Sequence, residues 1–165
     1  MKPKWWNKSR SYLLKKDKVI SKLIRSYKGH LTTRNDFFYS LTRSIISQQI
    51  SVAAADSVFS KFEKKCKNKI NPKTVKKLSI QDLKKCGLSK MKAIGIKSLA
   101  QKILNKSFNP KLISKMTDEE AINYLSSLRQ IGRWSAEMVL IFFYNRPNIW
   151  PVQDIGLLRA ISNNY

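Results

Sequence analysis

The stretch that most constrains how this chain can fold runs from Leu128 to Arg159. It opens Leu-Arg-Gln-Ile-Gly-Arg-Trp-Ser-Ala, continues as an apolar run through Phe143, and ends Pro-Val-Gln-Asp-Ile-Gly-Leu-Leu-Arg. Upstream, Thr117 suits a helix N-cap and Glu120, three residues on, completes a capping box, so a helix is predicted to begin there. Gly132 lacks a Cβ and is the expected place for that helix to stop in a left-handed turn. Ser135 to Phe143 has the apolar density of a second, buried helix. The pattern is helix, tight glycine hairpin, helix. The first-turn N–H groups of the second helix and its positive dipole end then face outward, where a phosphate is the natural guest. A plain helix–helix corner fits the same residues. The continuation favours the anion-binding reading, because the loop 145–151 delivers Asp154 to the start of another helix.

At 165 residues the chain is expected to form one domain that buries a core unaided. Its 33 Lys+Arg against 10 Asp+Glu leave a net charge of +23, which implies a polyanionic partner, nucleic acid before an anionic membrane. Codon bias in an AT-rich genome offers a second source for so many Lys, Asn and Ile residues. Cys66 and Cys86 are too few for a disulfide scaffold or a metal cluster and read as reduced thiols of a cytosolic protein. No apolar run approaches membrane-spanning length and no signal peptide is evident, so no membrane partner is expected. Sparse Gly and Pro with long 3.6-residue periodicity predict an all-α protein.

Taken in order, residues 1–34 read as an N-terminal helical segment and residues 35–165 as the functional core. Leu13, Ile20, Leu23, Ile24 and Tyr27 give the first segment an amphipathic helix, with Trp5 and Trp6 as packing residues. Asn35 or Asp36 caps a helix that buries Phe37, Phe38, Leu41, Ile45 and Ile46, and Ser51 caps Val52 to Lys64. Gln48 and Gln49 lie at that junction, where amides can satisfy local backbone groups. After Asn71-Pro72 one Lys-rich helix is predicted from Lys73 to Cys86, stopping at Gly87. Ser89 caps the next, Lys90 to Leu104, with Ile94, Leu99 and Ile103 inward. The Gly87 corner reads as structural, with Lys90 and Lys92 near the nucleic-acid backbone.

Few groups are available for chemistry. His30 has no evident partner, so Ser-His-Asp and Cys-His arrangements are excluded, and zinc ligands are lacking. Asp118, Glu119 and Glu120 suit a helix N-terminus, Asp17, Asp56, Glu63 and Asp82 suit solvated faces or caps, and Glu137 suits the surface or a pairing with a nearby cation. Asp154 remains, and its own context predicts an N-cap for Ile155 to Ile161. Backbone donors and a positive helix end favour its carboxylate form. An ionised aspartate cannot donate a proton but can stabilise a developing positive charge and orient water.

Three ordered segments carry a resemblance. Leu41-Thr42-Arg43-Ser44-Ile45-Ile46-Ser47-Gln48-Gln49-Ile50-Ser51, Ile131-Gly132-Arg133-Trp134-Ser135-Ala136-Glu137-Met138, and the run from Arg146 to Leu157 resemble the helix-hairpin-helix (HhH-GPD) DNA glycosylases, within them the 3-methyladenine DNA glycosylase II type. The resemblance covers about Phe37 to Ile161. It implies an all-α helix-hairpin-helix bundle without an N-terminal β domain, binding duplex DNA with a damaged base, as a monomer in the cytoplasm at the nucleoid. By the match, Asp154 is the catalytic aspartate and Trp134 and Met138 line the base pocket. Gln49 plugs the gap left by the flipped nucleotide and Gln48 supports it. Gln130, Gly132, Arg133 and Ser135 contact DNA. The carbonyls of Ser126, Leu128 and Ile131 hold a structural Na+ or K+, and no other cofactor is implied.

Bifunctional relatives carry a lysine where this chain has Trp134, so the resemblance implies a monofunctional enzyme that leaves an abasic site in an intact strand. An indole also attracts a cationic base, by up to about 2 kcal/mol when desolvated, although core packing is its bland alternative. Two departures stand out. Gln130 occupies the place of the hairpin's first glycine, and the chain ends at Tyr165 where the family continues with closing helices. An inactive or non-catalytic DNA-binding module, truncated at its C-terminus, is therefore the rival expectation.

Overall fold

The computed structural model describes residues 2–165, which form ten α-helices and one 3₁₀ turn, with no strand among the described residues. The chain divides into two units. One is Asp36–Ala136; the other combines the chain up to Asn35 with Glu137–Tyr165, and the division falls inside a helix, Arg133–Phe142.

The unit Asp36–Ala136 holds α3 (Phe37–Ser47), α4 (Val52–Lys65), α5 (Pro72–Lys77), α6 (Ile80–Lys85), α7 (Lys90–Leu104), a 3₁₀ turn (Pro110–Lys115), α8 (Asp118–Ser126) and the first turn of α9 (Arg133–Phe142). Side-chain caps set most of these starts: Asp36 accepts from Tyr39 N, Ser51 from Ala54 N, Asn71 from Thr74 N and Ser89 from Lys92 N. At α8 the Thr117–Glu120 capping box forms as the sequence predicts. Helix α7 is central, with α3, α5 and α6 all packed on it. Leu41, Ile45, Ile46, Phe62, Leu83, Ile96 and Leu125 are enclosed, and truncating a phenylalanine such as Phe62 would cost about 3–5 kcal/mol. An aromatic stack adds to this core, Phe108 lying 5.8 Å from Phe37 and 4.6 Å from Tyr124.

Four local expectations change. The single helix over 73–86 is two, α5 and α6, because Ser79 and Asp82 form a reciprocal capping box that restarts the helix. The carbonyls exposed at the break, Lys76 O and Leu78 O, accept from the Lys97 ammonium. The buried face of α7 is Ala93, Ile96, Leu99 and Ala100 rather than Ile94, Leu99 and Ile103, since small residues permit the closest helix approach. Helix α8 ends at Ser126, and the left-handed residue of the following turn is Gln130, with φ +69°, not Gly132. There Ile131 N donates to Leu128 O at 3.1 Å, which puts Gln130 at the turn position that demands positive φ. Glu137, expected at the surface or beside a cation, is only 4% exposed, on a stretch of α9 whose Ser135, Ala136, Val139 and Leu140 are buried as well.

Cys66 and Cys86 are buried free thiols; burial pushes Cys66 up to about 11 and raises Cys86 as well.

The second unit contains α1 (Trp6–Lys16), α2 (Lys18–Ser26), the remainder of α9 and α10 (Ile155–Asn164). Asp17 separates α1 from α2, capping α2 through Ile20 N at 2.8 Å and accepting from the Tyr165 hydroxyl at 2.8 Å. Arg10 closes the other end of α2 on Ile24 O and Tyr27 O. Asn145 ties the N-terminal segment to the loop after α9: its carbonyl accepts from Trp5 Nε1 at 2.7 Å and its Oδ1 from the Thr33 hydroxyl at 2.8 Å.

Candidate nucleic-acid interface

Helix α3 ends at Ser47, and the chain turns through Gln48 and a left-handed Gln49 (φ +56°) before Ser51 starts α4. Two long-range contacts fix this turn. The Lys92 ammonium donates to Ile46 O at 2.8 Å and Gln48 O at 2.6 Å, placing a cation on carbonyls that α3 leaves without helical partners. Burial lowers the pKa of Lys92. The Gln48 amide, in turn, donates to Gln130 O at 2.8 Å and to the Ser135 hydroxyl at 3.1 Å. Gln48 thus satisfies a backbone carbonyl, as its residue type allows, but one 82 positions away.

Gly95 makes the approach of α7 to the hairpin possible. A Cβ there would lie 2.8 Å from Gln130 Cγ and 3.3 Å from Arg129 O. The result is an open cavity of about 510 Å3 lined by Gln48, Gln49, Lys92, Gln130, Trp134 and Ser135. Ser89 and Met91 complete its rim. Trp134 is 38% exposed, so its indole lines this hollow rather than the core. Gln49 is exposed. Because α9 begins at Arg133, its positive dipole end opens at the same hairpin.

Of the residues expected to touch DNA, Gln48, Gln49, Gln130 and Ser135 meet in this one cavity. Gly132 is exposed beside it in sequence, and a Cβ there would meet nothing within 4 Å. Arg133 instead grips Glu119 of α8 with both guanidinium nitrogens, at 2.9 and 2.5 Å, and the pair lowers the pKa of Glu119. Lys92 also turns to the protein's own carbonyls rather than outward.

Met138, four residues after Trp134 on α9, is half-buried and belongs to the other unit. So does Asp154. Its backbone N–H closes a turn on Pro151 O at 2.9 Å, and its Oδ1 accepts from Leu157 N at 2.7 Å, capping α10. Gly156 leaves room for that carboxylate, since a Cβ there would stand 3.1 Å from Asp154 Oδ1.

The turn after α8 carries the residues that the resemblance assigns to a monovalent cation. Ser126 Oγ is buried without a hydrogen-bond partner, and Leu128 O accepts one bond, from Ile131 N. A carbonyl oxygen has two lone pairs. The unpartnered Ser126 hydroxyl is the observation at this turn that suits a bound Na+ or K+.

Sequence reasoning missed how Lys92, Gly95 and Gly156 work. Each left a trace. Lys90 and Lys92 sit in the first turn of α7, where the dipole disfavours cations, and a first-turn lysine needs a tertiary acceptor. Gly95 interrupts a helix interior, costing about 1 kcal/mol against alanine, which signals close backbone approach.

Residues 42–165 match the family described as HhH-GPD superfamily base excision DNA repair protein. DNA-3-methyladenine glycosylase 1 of Schizosaccharomyces pombe is 28% identical over 152 residues, covering 90% of this chain and 65% of the relative. An alkylbase DNA glycosidase-like protein of the same yeast is 35% identical over 124 residues, covering 73% of this chain and 58% of that protein. The chain thus spans about three fifths of the length of these curated relatives. Among solved structures, DNA-3-methyladenine glycosidase from Bacillus halodurans superposes with a TM-score of 0.80 at 25% identity, covering 93% of this chain and 71% of that one. The S. pombe 3-methyladenine DNA glycosylase in complex with abasic DNA gives 0.80 at 25%, covering 96% and 82%. Since the family match runs from α3 through the hairpin to α10, this chain belongs to the HhH-GPD superfamily of base excision DNA repair proteins.

Proposed function

We propose that the chain is a monofunctional DNA glycosylase that hydrolyses the N-glycosidic bond of alkylated purines, of the 3-methyladenine or 7-methylguanine kind, acting as a monomer on duplex DNA. The observation that carries the reading is Asp154, a carboxylate fixed by Leu157 N–H at the positive end of α10. In the reaction the C1′–N bond breaks and the base departs with the electron pair, which neutralises a cationic alkylated purine without a general acid. The positive charge that develops on the sugar is what a fixed carboxylate stabilises. A water oxygen then bonds to C1′ and gives up its proton, leaving an abasic site in an unbroken strand. Trp134 has no amine to attack the sugar, and its indole face suits a cationic base. Extruding the nucleotide costs a few kcal/mol, which contacts of the Gln48–Gln49 turn with the stack would offset. Na+ or K+ held by Ser126, Leu128 and Ile131 would add positive charge beside a bound phosphate. The names of the S. pombe relatives support the substrate class.

The test is single-turnover release of 7-methylguanine from duplex DNA by the parent and by Asp154→Asn. A fall on the order of 100-fold or more is expected, with duplex binding kept. Borohydride trapping of a covalent adduct would reject the monofunctional mechanism. A second reading, a DNA-binding module without catalysis, draws on α10 itself, which carries no buried residue. Duplex binding by a folded parent that releases no base would establish it.

A further inference from the structure

A second hollow opens in the unit Asp36–Ala136, at the far end of α4. It measures about 320 Å3; Cys66 and Leu78 give it an apolar floor, and Lys65, Lys67, Lys69, Lys73, Thr74 and Lys77 complete its lining. Local backbone devices gather these lysines. Lys67 and Asn68 both adopt left-handed backbone, φ +54° and +57°, so the chain turns sharply out of α4 and brings Lys67 and Lys69 to the same hollow as Lys65. Asn71 then starts α5 by accepting from Thr74 N at 3.0 Å, and Lys73 and Lys77, one turn apart, line the same hollow.

Only Lys65 is neutralised, by Asp82 at 2.8 Å, and that carboxylate also caps α6 through Ser79. Lys67, Lys69, Lys73 and Lys77 form no ion pair among the described residues. A solvated lysine face would spread its charges; here like charges ring a concavity and two non-glycine residues take a disfavoured conformation to put them there. Negative helix ends account for Lys64 and Lys65 in α4 and for Lys77 in α5, but not for Lys67, Lys69 and Lys73. Helix α4 has 14 residues and rises about 1.5 Å per residue, so this hollow stands roughly 20 Å from the Gln48–Gln49 turn.

We propose that the lysine hollow is a second phosphate-binding site, which takes the backbone of a nucleic-acid segment other than the one engaged at the hairpin. A polyanion satisfies several separated ammonium groups at once and releases their counter-ions. For a base excision DNA repair protein, nucleic acid is the polyanion at hand. Holding two segments would let the protein pass from one to the other without full release.

The experiment mixes the protein with two short undamaged duplexes, one carrying a donor dye and the other an acceptor. The parent is expected to bring them together and give energy transfer. The variant Lys67→Gln/Lys69→Gln/Lys73→Gln/Lys77→Gln should weaken this second binding step about tenfold or more while keeping the first. A matched loss of charge elsewhere, Lys8→Gln/Lys15→Gln/Lys18→Gln/Lys22→Gln on α1 and α2, should leave it within about twofold. Equal losses in the two variants, or no energy transfer by the parent, would overturn the proposal. Inorganic tripolyphosphate separates the sources of phosphate: binding that needs the four lysines, with no second duplex captured, would reject the nucleic-acid assignment. Acylation of the parent's lysines reads the same point without substitution. Protection of Lys67, Lys69, Lys73 and Lys77 on adding a second equivalent of duplex supports the site, and unchanged acylation rejects it.

Discussion

The unit Asp36–Ala136 contains two helix–turn–helix corners that solve the same problem differently. The corner between α6 and α7 is closed by its own residues. Gly87 takes φ +99°, Gly87 N donates to Lys84 O at 2.8 Å, and Leu88 N donates to Leu83 O at 3.4 Å. That is a Schellman cap, complete with its apolar contact, since Leu83 and Leu88 are both buried. The corner between α8 and α9 closes only with outside help. Its left-handed residue is Gln130, whose carbonyl accepts from Gln48 of the α3 end and whose side chain presses on Gly95 of α7. A non-glycine residue in that conformation costs about 1 kcal/mol or slightly more and persists where its surroundings impose it. The first corner is a piece of scaffold. The second lines the candidate cavity, and contacts from α3 and α7 hold its left-handed residue in place.

The sharpest way to break this distinction is Lys92→Met, which removes the cation from Ile46 O and Gln48 O and so frees the turn that carries Gln48 to the hairpin. Bonds to a charged donor are worth about 1.5–3 kcal/mol, and duplex binding should fall about tenfold or more together with thermal stability. Titration of an equally charged Lys92→Arg variant, with partial recovery of binding, separates loss of positioning from loss of charge. Next come the two glycines. Gly87→Ala should cost roughly 2 kcal/mol in denaturant unfolding, from positive φ and a Cβ 3.0 Å from Val58 Cγ2, yet leave duplex affinity alone. Gly95→Ala should cost about 1–3 kcal/mol by overpacking and also weaken binding, because the clash falls on Gln130. Equal effects of both on binding would erase the distinction between scaffold and site.

The scaffold was the legible part. Caps at Asp36, Ser51, Ser89 and Thr117 are local signals and fixed four helix starts, and the apolar period of α3 named its buried face. The break between α5 and α6 was written just as locally, in Ser79 and Asp82, but a lysine-rich run masked it. What the sequence did not disclose is non-local. Nothing near Gln48 says that its amide will find Gln130, and nothing near Lys92 says that it will leave the solvent for the end of α3. Glycine is the usual occupant of a left-handed turn and points to Gly132, but tertiary contacts override that preference at Gln130.

Acid separates the two regions as well, the Asp82 pair joining α6 to α4 and the Glu119 pair joining α8 to α9. Lys65 holds Asp82 far below the usual carboxylate range, with Ser79 assisting, whereas Arg133 depresses Glu119 across the second corner. Both pKa values are lowered on folding, so each pair stabilises the fold above the unfolded carboxylate value near 4 and is lost as pH falls through its folded value. The Glu119 pair, linking α8 to α9, should titrate first. Carboxyl-carbon NMR between pH 5 and pH 2 reads the order, and prior loss of the Asp82 pair would contradict it.

The smallest expected change is the most discriminating one. Gln130→Gly would give the second corner the residue type of the first. Relief of the left-handed strain contributes about 1 kcal/mol or slightly more, and the greater freedom of glycine in the unfolded chain takes back about 0.5–1 kcal/mol. The net should be a gain of at most about 0.5 kcal/mol. The backbone carbonyl that receives the Gln48 amide survives the substitution. If the strain at Gln130 is only tolerated, duplex affinity and base release in the glycine variant will match the parent. If the side chain itself serves the cavity it lines with Trp134 and Gln49, binding will drop even as the fold becomes slightly more stable. Opposite signs in those two measurements would mean that the hairpin keeps a strained glutamine for what it does rather than for how it folds.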